Sequence, residues 1–365
     1  MKNFAVLLFL LFIISVSCKN NKVQIVDSVS NKNIKYSEVI IDTVYVEIED
    51  SSYSGFSGVT NNSLYFFDEY FSYYYPVSID GRVGSRRMGA GGAPFEIPIR
   101  NALEVCFADE NTFVTMGGTL DMYILKNMGD RKMIGMIAQG KKDSYNSSTA
   151  YTLWPEIIMR SDGKNLFYNV KGNNESVAVE RNDYYQNART LMKVDLNSGK
   201  MEPVGKYSDY YVANRNRVKH LPFVYFDVDA KGRFYVTHQA DSLIYLYNRN
   251  FDLIKRLGFQ GVSMNTNYSN PSYDLGRAYI NDMREKGYYY WIKKVEEQDM
   301  MFRIYQKGSH SLNDGMQVYQ GDDLVADVEV PKGFRVIGYV APYFVTQIIC
   351  DDDGETMKFY RFTLE

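Results

Sequence analysis

FDVDAKGRFYVTHQADSLIYLYNRNFDLIKRLG, residues 226–258, decides the fold. With Val224 and Tyr225 before it, the stretch divides into four short β-prone runs: Val224–Val228, Arg233–Thr237, Leu243–Tyr247 and Leu253–Leu257. Each run is rich in aromatic or branched residues that suit a pleated, half-buried surface. The turn signal Asp229-Ala230-Lys231-Gly232 separates the first two, as a tight antiparallel connection requires. Four short antiparallel strands in about 35–45 residues make one blade of a propeller.

Fainter copies of this unit lie on both sides. Gly58–Met88 contains Ser63–Asp68, Tyr73–Ile79 and the turn dipeptide Asp80-Gly81. Further units are expected over Ala102–Gln139, Tyr151–Gly205, Trp291–Val330 and Phe334–Leu364, with Ser161-Asp162-Gly163-Lys164 and Asn197-Ser198-Gly199-Lys200 as turns in the third. The fold class expected is all-β: a six-bladed β-propeller of four-stranded antiparallel blades over residues 39–365, with loop and helix insertions. A propeller removes its open edge by pairing its two chain ends. Val39–Ile48 is therefore expected to complete the last blade beside Met357–Leu364. Two stretches break the pattern. Asn173–Ala188 is polar and reads as a long loop or hairpin, whereas Tyr273–Lys294 has near-helical apolar spacing, with a helix ending near Gly287.

Composition narrows the function. The 365 residues carry 41 basic and 44 acidic side chains, so the net charge of -3 supplies no basic footprint for nucleic acid. At 45% hydrophobic the chain can bury a large core, which excludes a disordered protein. Three cysteines and three histidines leave little material for a metal cluster or disulfide framework.

The first seventeen residues have the anatomy of a targeting segment. Lys2 gives a positive start, Phe4–Ile14 form a short apolar core, and Ser15-Val16-Ser17 lead to Cys18. This resembles a bacterial lipoprotein signal, which implies lipidation at Cys18 and removal of residues 1–17. Residues 18–38 then form a polar, flexible tether, and a multiply acylated cysteine is enough for stable membrane attachment. No acidic run follows Cys18. Such an absence resembles the surface-export signals of gut Bacteroidetes lipoproteins, but a periplasm-facing outer-membrane lipoprotein of the cell envelope is the favoured expectation. In an oxidising compartment Cys106 and Cys350 are read either as two buried small hydrophobes or as a disulfide.

A second resemblance rests on Ile79-Asp80-Gly81-Arg82-Val83-Gly84 followed by Gly89-Ala90-Gly91-Gly92-Ala93-Pro94-Phe95-Glu96. The pair resembles a recurrent element of Bacteroidetes six-bladed propeller lipoproteins of unknown function. The Phe226–Gly258 unit is similar to a blade of NHL or TolB-like propellers. These likenesses imply the fold and an envelope location; the group has no common activity to carry over.

Candidate binding residues come from several stretches. Arg82, Arg86, Arg87 and Glu96 flank the glycine-rich segment, where backbone N–H groups and guanidinium forks suit an anion; a tight inter-blade loop is the plainer reading. The aromatic stretches Tyr70–Tyr75, Tyr184-Tyr185, Tyr207–Tyr211 and Tyr288–Trp291 include Tyr289 and Trp291, and Trp154 stands apart. Exposed rings of this kind offer stiff contact area to a protein or a sugar face. Arg215 and Arg217 form a basic patch in an expected loop, and His238 follows a strand that leads to the central channel. Asp351–Glu355 invites calcium, although its spacing fits a hairpin turn better, so no cofactor is expected. There is neither a nucleophile elbow nor a clustered His/Cys motif. The leading expectation is a lipid-anchored envelope propeller that binds or assembles a protein or glycan, without nucleic acid. The alternative is a carbohydrate-active hydrolase or lyase with carboxylates at the central channel.

Overall fold

The computed structural model describes residues 31–365 apart from 94, 100, 119–120, 128–129, 135–143, 174–177, 269–274, 309 and 352–354. The leader, Cys18, the start of the tether, Pro94 and the Asp352-Asp353-Gly354 turn lie outside the described residues.

Strand β1 (Val39–Val46) leads into the first blade, β2 (Gly55–Thr60), β3 (Ser63–Asp68) and β4 (Tyr74–Val77). Bridges from Tyr74 to Arg87 and from Val77 to Val83 serve as its outer edge. The second blade is β5 (Ala102–Asp109), β6 (Thr112–Gly117), β7 (Met122–Lys126) and β8 (Asp130–Ile134). The third holds β9 (Tyr151–Leu153), β10 (Met159–Ser161), β11 (Asn165–Gly172), β12 (Leu191–Asp195) and β13 (Met201–Val204). The deciding stretch forms the fourth: β14 (Val224–Val228), β15 (Phe234–His238), β16 (Ile244–Tyr247) and β17 (Leu253–Leu257). The fifth is β18 (Tyr288–Val295), β19 (Met300–Gln306), β20 (Asn313–Gln320) and β21 (Asp323–Pro331). The sixth is β22 (Val336–Val340), β23 (Tyr343–Thr346), β24 (Ile349–Asp351) and β25 (Thr356–Leu364). Together these sheets form a six-bladed β-propeller.

The ring closes as the sequence leads one to expect. β1 runs antiparallel to β25 along its whole length, from Val39 opposite Leu364 to Val46 opposite Met357. Before β1, residues 32–37 form a strap. Lys32 bridges Leu324 in parallel, Lys35 N–H donates to Val325 O (2.8 Å), and Ser37 N–H donates to Glu365 O (2.8 Å).

Aspartates build several turns. The Asp229 carboxylate accepts the N–H groups of Lys231 (3.0 Å) and Arg233 (2.8 Å), while Gly232 takes φ 72°. Asp162 does the same for Lys164 (3.0 Å) and Asn165 (2.7 Å) beside Gly163 at φ 84°. A side-chain acceptor two to four residues back and a glycine free to enter the left-handed region make a compact reversal. Aromatic pairs then pack blade against blade: Phe67–Phe113 (5.3 Å), Phe167–Phe234 (4.8 Å) and Phe302–Phe344 (4.8 Å). Such tilted ring contacts add to the burial of large apolar area that drives the packing.

Antiparallel order fixes two faces. Turns between first and second, and between third and fourth, strands of a blade lie on one face. Second-to-third loops and crossings to the next blade lie on the other, the crossing face. Among the described residues three α-helices interrupt connections of the second kind: α1 (Tyr184–Asn187) between β11 and β12, α2 (Asp209–Val218) between β13 and β14, and α3 (Leu275–Glu285) between β17 and β18. The helix expected before Gly287 is α3. Two other expectations are corrected. Asn173–Ala188 is more than a loop, because α1 buries Tyr184 and Tyr185; the basic run from Asn214 continues α2 through Val218.

Candidate functional site

The innermost strand of every blade turns one edge towards the ring's centre, where the six strands enclose a channel of about 1260 Å3. Its wall takes residues from β2, β5, β10, β14, β18 and β22. Tyr53, Glu69, Glu156 and Gln347, which lie in crossing-face connections, also line it, so the channel is wide on that side. A volume above the ~300–1,000 Å3 usual for small-molecule pockets suits an extended polar ligand.

The wall is charged in an ordered way. Asp227, buried near the end of β14, pairs with Arg160 (3.2 Å) and Lys293 (3.1 Å), and accepts Lys294 N–H (2.8 Å). Nearer the crossing face, Arg335 pairs with Glu156 at 2.6 Å. Trp291 holds this wall together. Its indole N–H donates to Val336 O (2.6 Å), and the guanidinium groups of Arg160 (5.0 Å) and Arg335 (5.2 Å) lie over its ring.

Glu104, at the start of β5, stands differently. One carboxylate oxygen accepts Val105 N–H (2.9 Å), and no described cation ion-pairs with it. It keeps some surface in the channel, yet the wall strips enough water that its carboxyl is pushed up to about 7. Burial is the largest cause; the Val105 amide and Arg160 oppose it, and the Glu156 charge adds to it. Two residues on, burial and then Glu104 itself push the Cys106 thiol up to about 12, which leaves it protonated and unreactive. Cys106 and Cys350 both line the channel and are not joined to each other, so the disulfide alternative is not formed.

Of the ten ligand-binding candidates named from sequence, only Trp291 lines this channel. Arg82 is exposed and 3.9 Å from Asp80; Arg86 pairs with Asp50 (3.0 Å) over the Tyr73 ring; Arg87 pairs through its backbone with Tyr74. Glu96 folds into its own glycine-rich loop and accepts Ala93 N–H (2.9 Å). A Cβ on Gly91 would lie 2.1 Å from the Glu96 carboxylate, so that loop is occupied by its own anion. Trp154 donates to Val170 O (2.9 Å) and packs on Phe223. Arg215 donates to Asn182 O (2.7 Å), and Arg217 to Asn267 Oδ1 (3.0 Å).

His238 is fully buried among the rings of Tyr207, Tyr211 and Tyr245, away from the channel. Burial pulls its pKa down to about 4 and keeps the ring neutral. Tyr289 is buried beneath the Arg303 guanidinium, 3.2 Å from its ring centre. The aromatic contact surface expected from Tyr184-Tyr185, Tyr207, Tyr211 and Tyr288–Trp291 is corrected likewise. These rings are interior because α1 and α2 pack the first four together, and the β18 bulge turns successive residues inward. Tyr70 and Phe71 do remain exposed. Sequence reasoning missed Glu104, Glu156, Arg160, Asp227, Lys293 and Arg335. The usable signal was a charge within an otherwise apolar inner strand, as in Leu103-Glu104-Val105 and Tyr225-Phe226-Asp227-Val228.

Among the described residues no group of three His, Cys, Asp or Glu side chains is placed to hold a metal, and no helix is long and apolar enough to cross a membrane. No family model and no curated protein matches the sequence. Solved structures do match in shape. A member of the DUF4221 family from Bacteroides vulgatus aligns with TM-score 0.62 at 10% identity, covering 91% of this chain and 99% of its own. A candidate exported protein from Bacteroides fragilis aligns with TM-score 0.54 at 11% identity, covering 92% and 99%. A streptogramin B lyase aligns more loosely, at TM-score 0.45 and 10% identity over 90% and 98%. At these identities the likeness is one of fold: the chain shares the six-bladed propeller of these Bacteroides proteins.

Proposed function

We propose that this protein is a lipid-anchored cell-envelope propeller that binds a polar, hydroxyl-rich ligand of the glycan class in its central channel. The observation that carries the reading is the ordered polar wall. Partly buried ion pairs, two of whose guanidinium groups lie over Trp291, form an ordered array of donors and acceptors around a space that opens on the crossing face. Ion pairs this enclosed are costly to assemble, and a preformed array spares a ligand the expense of ordering it. The burial of the aromatic stretches moves the expected contact surface from the outer loops to this channel. The candidate exported protein among the structural neighbours favours an envelope location.

The test is a thermal-shift panel on the full chain in detergent, with neutral and amino-sugar oligosaccharides and peptidoglycan fragments. A ligand that binds only the folded state raises the midpoint with concentration. It should also shift Trp291 emission. No shift with any glycan, or a shift that Trp291 emission does not follow, would refute channel binding.

A second reading, a glycan hydrolase or lyase, draws on Glu104, a carboxyl held near neutrality as an acid–base group would be. Product analysis after long incubation with any glycan that binds separates the two. Turnover that stops in Glu104→Gln supports the enzyme, and intact glycan supports a binding module.

A further inference from the structure

The channel wall carries five carboxylates, Glu69, Glu104, Glu156, Asp227 and Asp351, and four cations, Arg160, Lys293, Arg335 and Lys358. Three of the cations are committed to two of the carboxylates. Asp227 has Arg160 and Lys293, Glu156 has Arg335, and Glu69 accepts the Ser54 hydroxyl (2.9 Å). Glu104 has a single backbone amide. Its second oxygen faces the channel with no described donor. Arg160 and Arg335 act on it from a distance, with their guanidinium groups already committed to other carboxylates and to Trp291. A carboxylate without an ion-pair partner, on a wall where the arginines acting on it are already paired, is electrostatically complementary to a positive group on the ligand.

We propose that Glu104 is the seat for a primary ammonium group, and that the channel ligand is therefore an amino sugar or an oligosaccharide containing free amino groups. This rests on the channel-binding reading and specifies its ligand. An ammonium nitrogen supplies up to three donors. It can bond to the free Glu104 oxygen while sugar hydroxyls exchange hydrogen bonds with the Glu156–Arg335 and Asp227–Arg160 pairs. Acetylation of the amine removes both the charge and two of its donors, so the channel discriminates at that atom.

Proton release provides an independent sign. Groups that act on Glu104 are Glu156 and Arg160 of the adjacent third blade and Arg335 at the entry to the sixth, with Cys106 on its own strand and Tyr65 of the first blade. Near neutral pH Glu104 is partly protonated. An arriving cation favours the carboxylate, and binding expels that proton into the buffer.

The experiment is isothermal titration of the full chain in detergent at pH 5.5, where the probe's amines are already protonated and Glu104 still holds its proton, with two probes: a glucosamine tetrasaccharide and its fully N-acetylated counterpart. Running the first in two buffers of different ionisation enthalpy reads the proton release. The glucosamine probe is expected to bind about tenfold or more tightly. Glu104→Gln should erase that preference and the proton release; a cooperative denaturant transition at pH 4 coinciding with the wild type's shows that the variant is folded. Equal affinity of the two probes for the wild type overturns the ammonium seat and leaves channel binding standing. A preference that survives in Glu104→Gln overturns the assignment to Glu104, since it would reflect attraction to the acidic protein as a whole. Binding of neither probe overturns the glycan reading together with this one.

Discussion

Replacing Glu104 by glutamine should make the protein more stable at neutral and alkaline pH and leave it unchanged in acid. Glutamine keeps the shape and the oxygen that accepts Val105 N–H, but cannot ionise. The folded-state pKa of Glu104 lies above its unfolded value of about 4.5, reaching about 7. The folded chain therefore binds this proton more tightly than the unfolded chain does. Below pH 4.5 the carboxyl is neutral in both states. As pH rises from 4.5 to 7 the unfolded chain gains by ionising first, so wild-type stability falls, and above 7 the loss is complete. At about 1.36 kcal/mol per pH unit the interval is worth about 3 kcal/mol. Water in the channel screens the charge and reduces this to about 2 kcal/mol. Denaturant unfolding of wild type and variant at pH 4, 5.5, 7 and 8 isolates Glu104, because every other group cancels in the difference. The curves should coincide at pH 4 and separate by about 2 kcal/mol at pH 8, with the variant ahead. A constant difference across pH, or a wild type that gains on the variant as pH rises, would refute desolvation as the cause.

Other outcomes follow from the same structure. Arg303 is fully buried, donates to Thr237 Oγ1 (2.8 Å), Ser242 O (2.6 Å) and Asp241 O (2.5 Å), and lies on Tyr289. Arg303→Met leaves those acceptors bare and should cost about 3 kcal/mol or more, read as a lowered denaturation midpoint. Adjacent residues of β1 face opposite ways. Val46→Asp buries an unpaired carboxylate beside Phe359 and should destabilise by several kcal/mol, whereas Tyr45→Asp on the exposed side should stay within about 0.5 kcal/mol. In a Trp154→Phe background a channel ligand should shift the remaining tryptophan emission, and Trp291→Phe alone should abolish the response. EDTA is expected to leave the melting temperature unchanged; a fall would show that a bound cation stabilises the fold.

How much of this was legible in the sequence depended on whether the signal was local. The blade at 226–258 was visible because its turns carry their own chemistry. Asp229 and Gly232 form the first reversal, and the strands on either side are β-branched and aromatic. Closure by Val39–Ile48 was visible because a propeller must hide its edge and this β-branched run precedes the first blade. The channel was invisible for the converse reason. Each blade gives it only a few polar side chains, and Arg160, Asp227 and Lys293, far apart in the chain, meet only through the ring. The aromatic stretches misled because consecutive tyrosines on a strand should point both ways. Tyr184-Tyr185 sit instead on a single helical turn, walled in by Tyr207 and Tyr211. His238, expected just after its strand, is the last residue of β15, and that end of the strand faces the helical insertions and not the axis.

The strap from Lys32 to Ser37 also has a mechanical meaning. The strand that completes the ring is the first strand of the chain, so any pull on the N-terminus is delivered to the closure itself. The strap stands in the load path ahead of it. Leu324 N–H bonds to Asn31 O (3.0 Å), Asn33 N–H to Leu324 O (3.0 Å) and Lys35 N–H to Val325 O (2.8 Å), all on the fifth blade, before the chain reaches the sixth. Tension must peel these bonds from β21 before it bears on the eight paired residues of β1 and β25. The strap thus works as a strain relief: it can detach and re-form under a tug while the propeller stays shut and its channel keeps its shape.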